Sequence, residues 1–152
     1  MSMSSKTDIA DIANWFLAKE SMTHKKLQKI CYYAVAWGWA LMGKPIAING
    51  EFQAWRHGPV SRTIYDRYAG SGWNLIPKTE SEKEAPDDIN ELLEAVWLTY
   101  GDKTGNELEA LSHSEKPWIE ARTGLSASDS SMRVIKTSTM QQFYNSIKST
   151  EF

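Results

Sequence analysis

Cysteine is nearly absent. Cys31 is the only one in 152 residues, so no disulfide can form within the chain and no cysteine cluster can hold zinc. A lone thiol on an apolar helical face behaves as a small hydrophobe, and this usage fits a reducing cytoplasm. Histidine is scarce too: His24, His57 and His113 fall into no H-x-x-x-H or H-E-x-x-H spacing. No phosphate-binding loop or dinucleotide fingerprint is present. A Cys31–His pair is conceivable, but Cys31 sits among core positions and not in an electropositive cleft. Asp8, Asp11 and Glu20 read as a solvated face with acids near a helix start. These gaps argue against an enzyme and imply no catalytic residue, no cofactor and no metal. An excess of positive charge is also missing. Lys and Arg number 17 against 19 Asp and Glu, a net charge of −2, whereas nucleic-acid binders usually carry a basic surplus. Long hydrophobic runs are missing as well. The longest apolar stretch, Ile30–Met42, falls well short of the roughly 20 residues a membrane span needs. Met1–Lys6 is short and Ser-rich, unlike a signal peptide, and no internal repeat is visible. The length suggests one domain over 1–152, with 1–6 as a loose tail.

What the chain does have is one stretch apolar on almost every side. Thr23 to Met42 reads as a helix roughly 30 Å long. Leu27, Ile30, Cys31, Ala34, Val35, Gly38, Leu41 and Met42 recur at i, i+3, i+4 spacing. The opposite face starts polar, with His24, Lys25, Lys26, Gln28 and Lys29. From Tyr32 onward Tyr33, Ala36, Trp37, Trp39 and Ala40 make it apolar too. Such a helix is a buried one, and the remaining chain has to cover it.

The cover can be read in order. Thr7 or Asp8 caps a first helix to about Lys19, with Ile9, Ile12, Ala13, Phe16 and Leu17 inward. Thr23 caps the central helix; Gly43 ends it and Pro45 prevents a restart. Asn49-Gly50 between β-formers signals a hairpin over about 45–55. A three-residue loop or bulge would bring Ile46, Ile48, Phe52 and Ala54 onto one inward face. Arg56-His57-Gly58-Pro59-Val60 ends the sheet, and Pro59 opens a helix to about Tyr68 with Val60, Ile64 and Tyr68 inward and an Arg62–Asp66 pair outward. Residues 78–88 form an exposed charged loop. Then come an amphipathic helix over about 87–99, a capping box at Thr104–Glu107, and a short helix capped by Ser114 with Trp118 and Ile119 inward. Residues 124–131 form an exposed loop, and 132–136 can join the sheet. A second capping box at Ser138–Gln141 starts a last helix with Met140, Phe143, Tyr144 and Ile147 inward. The sum is about seven helices around one buried helix, with a small antiparallel sheet: mainly α, or α+β with little β.

Two surfaces carry functional signal. Seven Trp and six Tyr are many for this length, and such residues supply core mass but also anchor interfaces. Trp55-Arg56-His57-Gly58-Pro59 lies where a strand meets a helix start, a junction that can display a site or be a plain core plug and helix start. Lys25, Lys26 and Lys29, with Arg56, His57, Arg62 and Arg67 further on, form a candidate basic patch for phosphates; equally, such lysines keep the exposed end of a buried helix soluble.

Three runs carry a family resemblance: Met22-Thr23-His24-Lys25-Lys26-Leu27-Gln28-Lys29-Ile30-Cys31-Tyr32-Tyr33-Ala34; Phe52 to Val60 with Ile64-Tyr65; and Leu111-Ser112-His113-Ser114-Glu115-Lys116-Pro117-Trp118 with Ala121-Arg122. In this order they resemble the Panacea antitoxin domain, the family of SocA-like antitoxins and phage-associated GepA-type proteins. The resemblance implies a cytoplasmic antitoxin of bacterial or prophage origin that neutralises a cognate toxin, encoded by an adjacent gene, through direct protein contact. Some relatives resemble proteolytic adaptors, which would make an ATP-dependent protease a second partner. A nucleic-acid-binding regulator is the disfavoured alternative, and a homo-oligomer is left open. On this reading the toxin-binding residues are Tyr33, Trp37, Trp55, Arg56, His57, Gly58, Pro59, Val60 and Tyr65.

Overall fold

In the computed structural model, residues 7–80 and 85–151 are described, with only the backbone of 149–151. The expected tail at 1–6 and the middle of the 78–88 loop lie outside the described residues.

Helix α1 (Ile9–Lys19) starts at Asp8, whose carboxylate accepts from the Ala10 amide while the Asp11 carboxylate accepts from the Asp8 amide. This reciprocal box satisfies two otherwise orphaned N–H groups. Its expected stripe is buried, and Trp15 joins it through an indole N–H bond of 2.9 Å to Asn90. A two-residue strand β1 (Met22–Thr23) leads into α2 (His24–Met42). Thr23 caps α2 by accepting from the Lys26 amide, and Gly43 ends it.

Every residue of α2 from Leu27 to Gly38 is buried. The wrapping is complete there and lapses at the C-terminal end: Leu41, expected inward, is 44% exposed, and Trp39 and Met42 are half-buried. Gly38 lets the following chain fold back tightly, since a Cβ at that position would lie 2.5 Å from Ile46 Cγ2.

The hairpin forms one step later than its Asn-Gly signal. The Ile48 amide donates to Thr7 O at 2.8 Å, and Ile48 O accepts from Ile9 N at 3.0 Å. The residues leading into α1 therefore claim Ile48, and no strand returns from Asn49-Gly50. Ile46, Phe52 and Ala54 are buried as expected, but Ile48 is 50% exposed. The paired strands are β2 (Gln53–Trp55) and β3 (Gly58–Val60), with Arg56-His57 as the two-residue turn. Pro59 thus lies in a strand and does not open a helix. β3 is the edge, so the missing proline N–H breaks no ladder. On the other side of β2, Val134 bridges Gln53, as the 132–136 reading anticipated.

Helix α3 (Arg62–Tyr68) starts at Ser61, whose hydroxyl accepts from the Ile64 amide. A short strand β4 (Leu75–Ile76), unforeseen in the sequence, pairs with β1. Then follow α4 (Asp87–Tyr100), α5 (Gly105–His113, with the expected Thr104–Glu107 box), α6 (Lys116–Ala121) and α7 (Thr137–Glu151). The fold is mainly α with little β. Two caps differ from expectation. α6 starts at Glu115 instead of Ser114, and Ile119 on it is 47% exposed. α7 starts one residue before Ser138, which leaves that serine inside the helix. No described helix is long and apolar enough to cross a membrane.

Inside, aromatic residues of α2 meet α4 and α7. Tyr33 stacks on Tyr100 at 4.1 Å between ring centroids, and the Trp37 indole N–H donates to the Tyr100 hydroxyl at 2.8 Å. The hydroxyls of Tyr33 and Tyr144 both donate to the buried Glu115 carboxylate, at 2.7 and 2.8 Å. Glu115 therefore turns into the core, an acceptor that Tyr33 and Tyr144 require once buried.

The Gly38–Ile46 approach gives the first prediction. Alanine is the better helix former by about 1 kcal/mol, yet Gly38→Ala should destabilise the protein by roughly 1–3 kcal/mol, because stiff Ile46 cannot move aside freely. Denaturant melts of the two proteins measure it, and a gain in stability would show that the contact relaxes.

Candidate functional site

The three sequence runs meet at one corner. From α2, the Gln28 amide grips Ser61 at both backbone groups: Ser61 N donates to Gln28 Oε1 at 2.8 Å, and Gln28 Nε2 donates to Ser61 O at 3.1 Å. This pair fixes the passage from β3 to α3. From the third run, the Trp118 indole N–H donates to Trp55 O at 2.9 Å, and the buried Arg122 guanidinium donates to Ala54 O at 3.0 Å. Arg122 also donates to Ser126 O and Asp129 O, which holds the exposed 124–131 loop beside the hairpin. His113 stacks on Trp118 at 3.8 Å, and burial lowers its pKa.

Gly58 is where all three runs touch. Its φ is +112°, a conformation that disfavours a side chain. A Cβ there would meet Lys29 Cε at 2.7 Å, Lys29 Nζ at 3.3 Å and Ser112 Oγ at 3.4 Å. The glycine makes room for the Lys29 side chain beneath the hairpin.

Above this support lies Trp55, half-buried. Its ring sits 4.9 Å from that of Tyr65, and the Arg62 guanidinium lies 5.8 Å from the indole centroid. One hollow of about 380 Å³ lies beside Trp55, Arg56, His57, Arg62 and the 130–132 segment. A second, of about 400 Å³, is lined by His24, Lys25, Lys29, Trp55, Tyr65 and Trp73 among others. Arg56 and His57 are exposed between them. Trp73, 83% exposed, rims the second hollow from the Gly/Ser-rich turn after α3, a position with no periodic signal to flag it.

The charges are largely spoken for. Lys25 pairs with Glu109, and His57 Nδ1 lies 3.2 Å from the same carboxylate. Lys26 donates to Gly101 O at 2.6 Å, where the carbonyl end of α4 favours a cation. Lys29 is 3% exposed. Burial pulls its pKa down to about 7; Glu109 works against the shift and Lys25 adds to it. His24 is also lowered, by burial first and by Lys29 second.

The expected site residues therefore divide. Trp55, Arg56, His57 and Tyr65 present surface at the corner. Gly58, Pro59 and Val60 are buried and shape the turn. Tyr33 and Trp37 are wholly enclosed and offer no surface to a partner, because the Tyr100 and Tyr144 rings cover them. The candidate basic patch does not form an open row: Lys25 and Lys26 have partners, and Lys29 is inside.

A family profile described as antitoxin SocA-like, Panacea domain, matches residues 27–119. The chain belongs to the SocA-like Panacea antitoxin family. Antitoxin SocA of Caulobacter vibrioides is 30% identical to it, over 73% of this chain and 68% of that protein. No solved structure matches it. The family match holds α2 from Leu27 on, the hairpin and α4–α5, together with Glu115, Trp118 and the α6 residues up to Ile119. It leaves out α1 and α7, both of which pack against α2.

Enclosed Lys29 makes a pH-dependent prediction. Its folded pKa lies below the unfolded value of 10.5, so the native state binds fewer protons between the two. Stability then rises with pH across that window. Lys29→Met should be more stable than the wild type, most of all below about pH 7, with the difference shrinking toward pH 10. Paired thermal melts across this range check it; a constant difference would mean that Lys29 ionises normally.

Proposed function

We propose that this Panacea-domain protein is an antitoxin that neutralises a cognate toxin by direct contact at the Trp55–His57 corner, in the cytoplasm of a bacterium or of a prophage host. The observation that supports it is the convergence of the three family runs. Gln28, Trp118 and Arg122 hold up a hairpin whose two turn residues, Arg56 and His57, are exposed. What they present outward is an aromatic ring, a guanidinium and an imidazole beside two hollows. Trp and Arg on a rigid backbone are the residues that dominate binding energy at protein interfaces. A phosphate-binding surface is less well supported, since Lys25 and Lys26 already answer Glu109 and Gly101 O.

Coexpression with the adjacent small open reading frame tests the reading. The wild-type chain should restore growth and copurify with that product. Trp55→Ala should weaken binding by about 2 kcal/mol or more, and Arg56→Glu, on an exposed side chain, should weaken it with no loss of thermal stability. If the neighbour is toxic and the wild-type chain neither rescues nor binds, the antitoxin reading falls. If both variants bind as the wild type does, the contact surface lies elsewhere. Toxin half-life with and without this protein separates occlusion from delivery to a protease: occlusion leaves the toxin present, and delivery removes it.

A further inference from the structure

Lysine is almost never enclosed unless it is paired. Lys29 is enclosed, and its ammonium makes no hydrogen bond or ion pair among the described residues. The side chain runs past Gly58 and lines the hollow of about 400 Å³. An ammonium carries three donors and no acceptor, so this hollow is lined by an amine that can turn cationic and has no ion-pair partner of its own. The nearest carboxylate, Glu109, raises the Lys29 pKa from a distance but forms no ion pair with it. Glu109 is taken by Lys25 and His57. His24 lies 3.0 Å from Gln28 Nε2, and Lys25 adds further positive charge. Trp55, Tyr65 and Trp73 line the hollow, and an ion pair formed on a lysine that is 3% exposed is stronger than one in open water.

We propose that this hollow is a carboxylate pocket, in which Lys29 receives the side-chain carboxylate of an Asp or Glu on the protein partner. The identity of that partner rests on the toxin-docking reading; the pocket itself does not. A side chain is the fitting source because Trp55 and His57 line both hollows. A surface seated on the corner lies directly over the opening.

A bound carboxylate favours the charged lysine. Since burial brings Lys29 down to about 7, binding above that pH draws in a proton. Burial lowers His24 and His113 as well, and His57 also lines the hollow; Lys29→Met, which keeps all three histidines, assigns the uptake.

The test uses the full chain labelled with ¹³C at lysine Cε. It is titrated with N-acetylglutamic acid α-amide at fixed ionic strength, with N-acetylglutamine amide as the uncharged control and N-acetylglycine as the chain-end acid. The Lys29 signal should shift saturably with the glutamate probe alone, and its midpoint should rise by about one pH unit or more. The Trp55 and Trp73 indole signals should respond in the wild type but not in Lys29→Met, nor in Lys29→Gln, with folding of both verified by near-ultraviolet circular dichroism. No saturable shift with either acid overturns the pocket. A stronger response to N-acetylglycine overturns the side-chain assignment in favour of a chain terminus. With the toxin itself, calorimetry at about pH 8 in two buffers of different ionisation enthalpy should show a net uptake of about half a proton. Lys29→Met should lose that uptake and bind about tenfold more weakly or worse. Equal binding by Lys29→Met without uptake removes the toxin as carboxylate donor and leaves the antitoxin reading standing. A wild-type chain that binds no toxin ends the antitoxin reading and the toxin as donor with it, while the glutamate probe still decides the pocket.

Discussion

Enclosure of α2 on every side is the constraint from which the rest of the structure follows. A helix buried from Leu27 to Gly38 cannot be covered by one neighbour. α7 lies along it most extensively, with α4, α5 and α1 on other sides and β3 near its first half. Each neighbour needs an apolar stripe, and the stripes on α1, α4 and α7 supply it. The tightest point is Gly38, where Ile46 reaches the helix backbone because no side chain intervenes.

Full burial forces a second requirement, since α2 is not purely apolar. Gln28, Tyr32, Tyr33 and Trp37 all carry polar atoms inside, and each must find a partner. Their partners come from distant segments: Ser61 for Gln28, Tyr144 for Tyr32, Glu115 for Tyr33, Tyr100 for Trp37. These bonds do more than satisfy atoms. Apolar packing tolerates sliding, whereas a hydrogen bond fixes a register, so the polar set specifies how α3, α4, α6 and α7 sit around the rod. The family-matched region contains Gln28, Tyr32, Tyr33, Trp37, Ser61, Tyr100 and Glu115.

Lys29 stands apart from this set. It shares the burial of its neighbours and lacks their partners, and its pKa is depressed accordingly. A buried lysine with no ion pair of its own opposes stability, and it sits beneath the corner where exposed Trp73, Arg56 and His57 gather. Local conflict with the rules of folding tends to mark sites of function. Here the conflict and the exposed aromatic surface fall within the same hollow.

Much of the fold was legible in the order of residues. The buried helix, the α1 and α4 stripes, and the caps at Asp8, Thr23 and Thr104 all follow from local periodicity and from side chains that bond to the backbone within a few positions. The three runs carried a resemblance to the family that the profile match and the SocA relative show. The hairpin was misplaced for a definite reason: Asn49-Gly50 is turn-competent, but Thr7 and Ile9 capture Ile48 from 40 residues away in sequence, and strand pairing is not local. The same non-locality hid β4, the inward turn of Glu115 and the exposure of Leu41. It also sorted the site residues. Tyr33 and Trp37 share composition with Trp55 and Tyr65, yet only their packing partners decide that the first two are enclosed and the second two face outward. Whether Lys29 is a solvated lysine or a buried ammonium could be settled by nothing in its own helix. That depends on a glycine at 58 leaving room for it, and on a hairpin folding over the top.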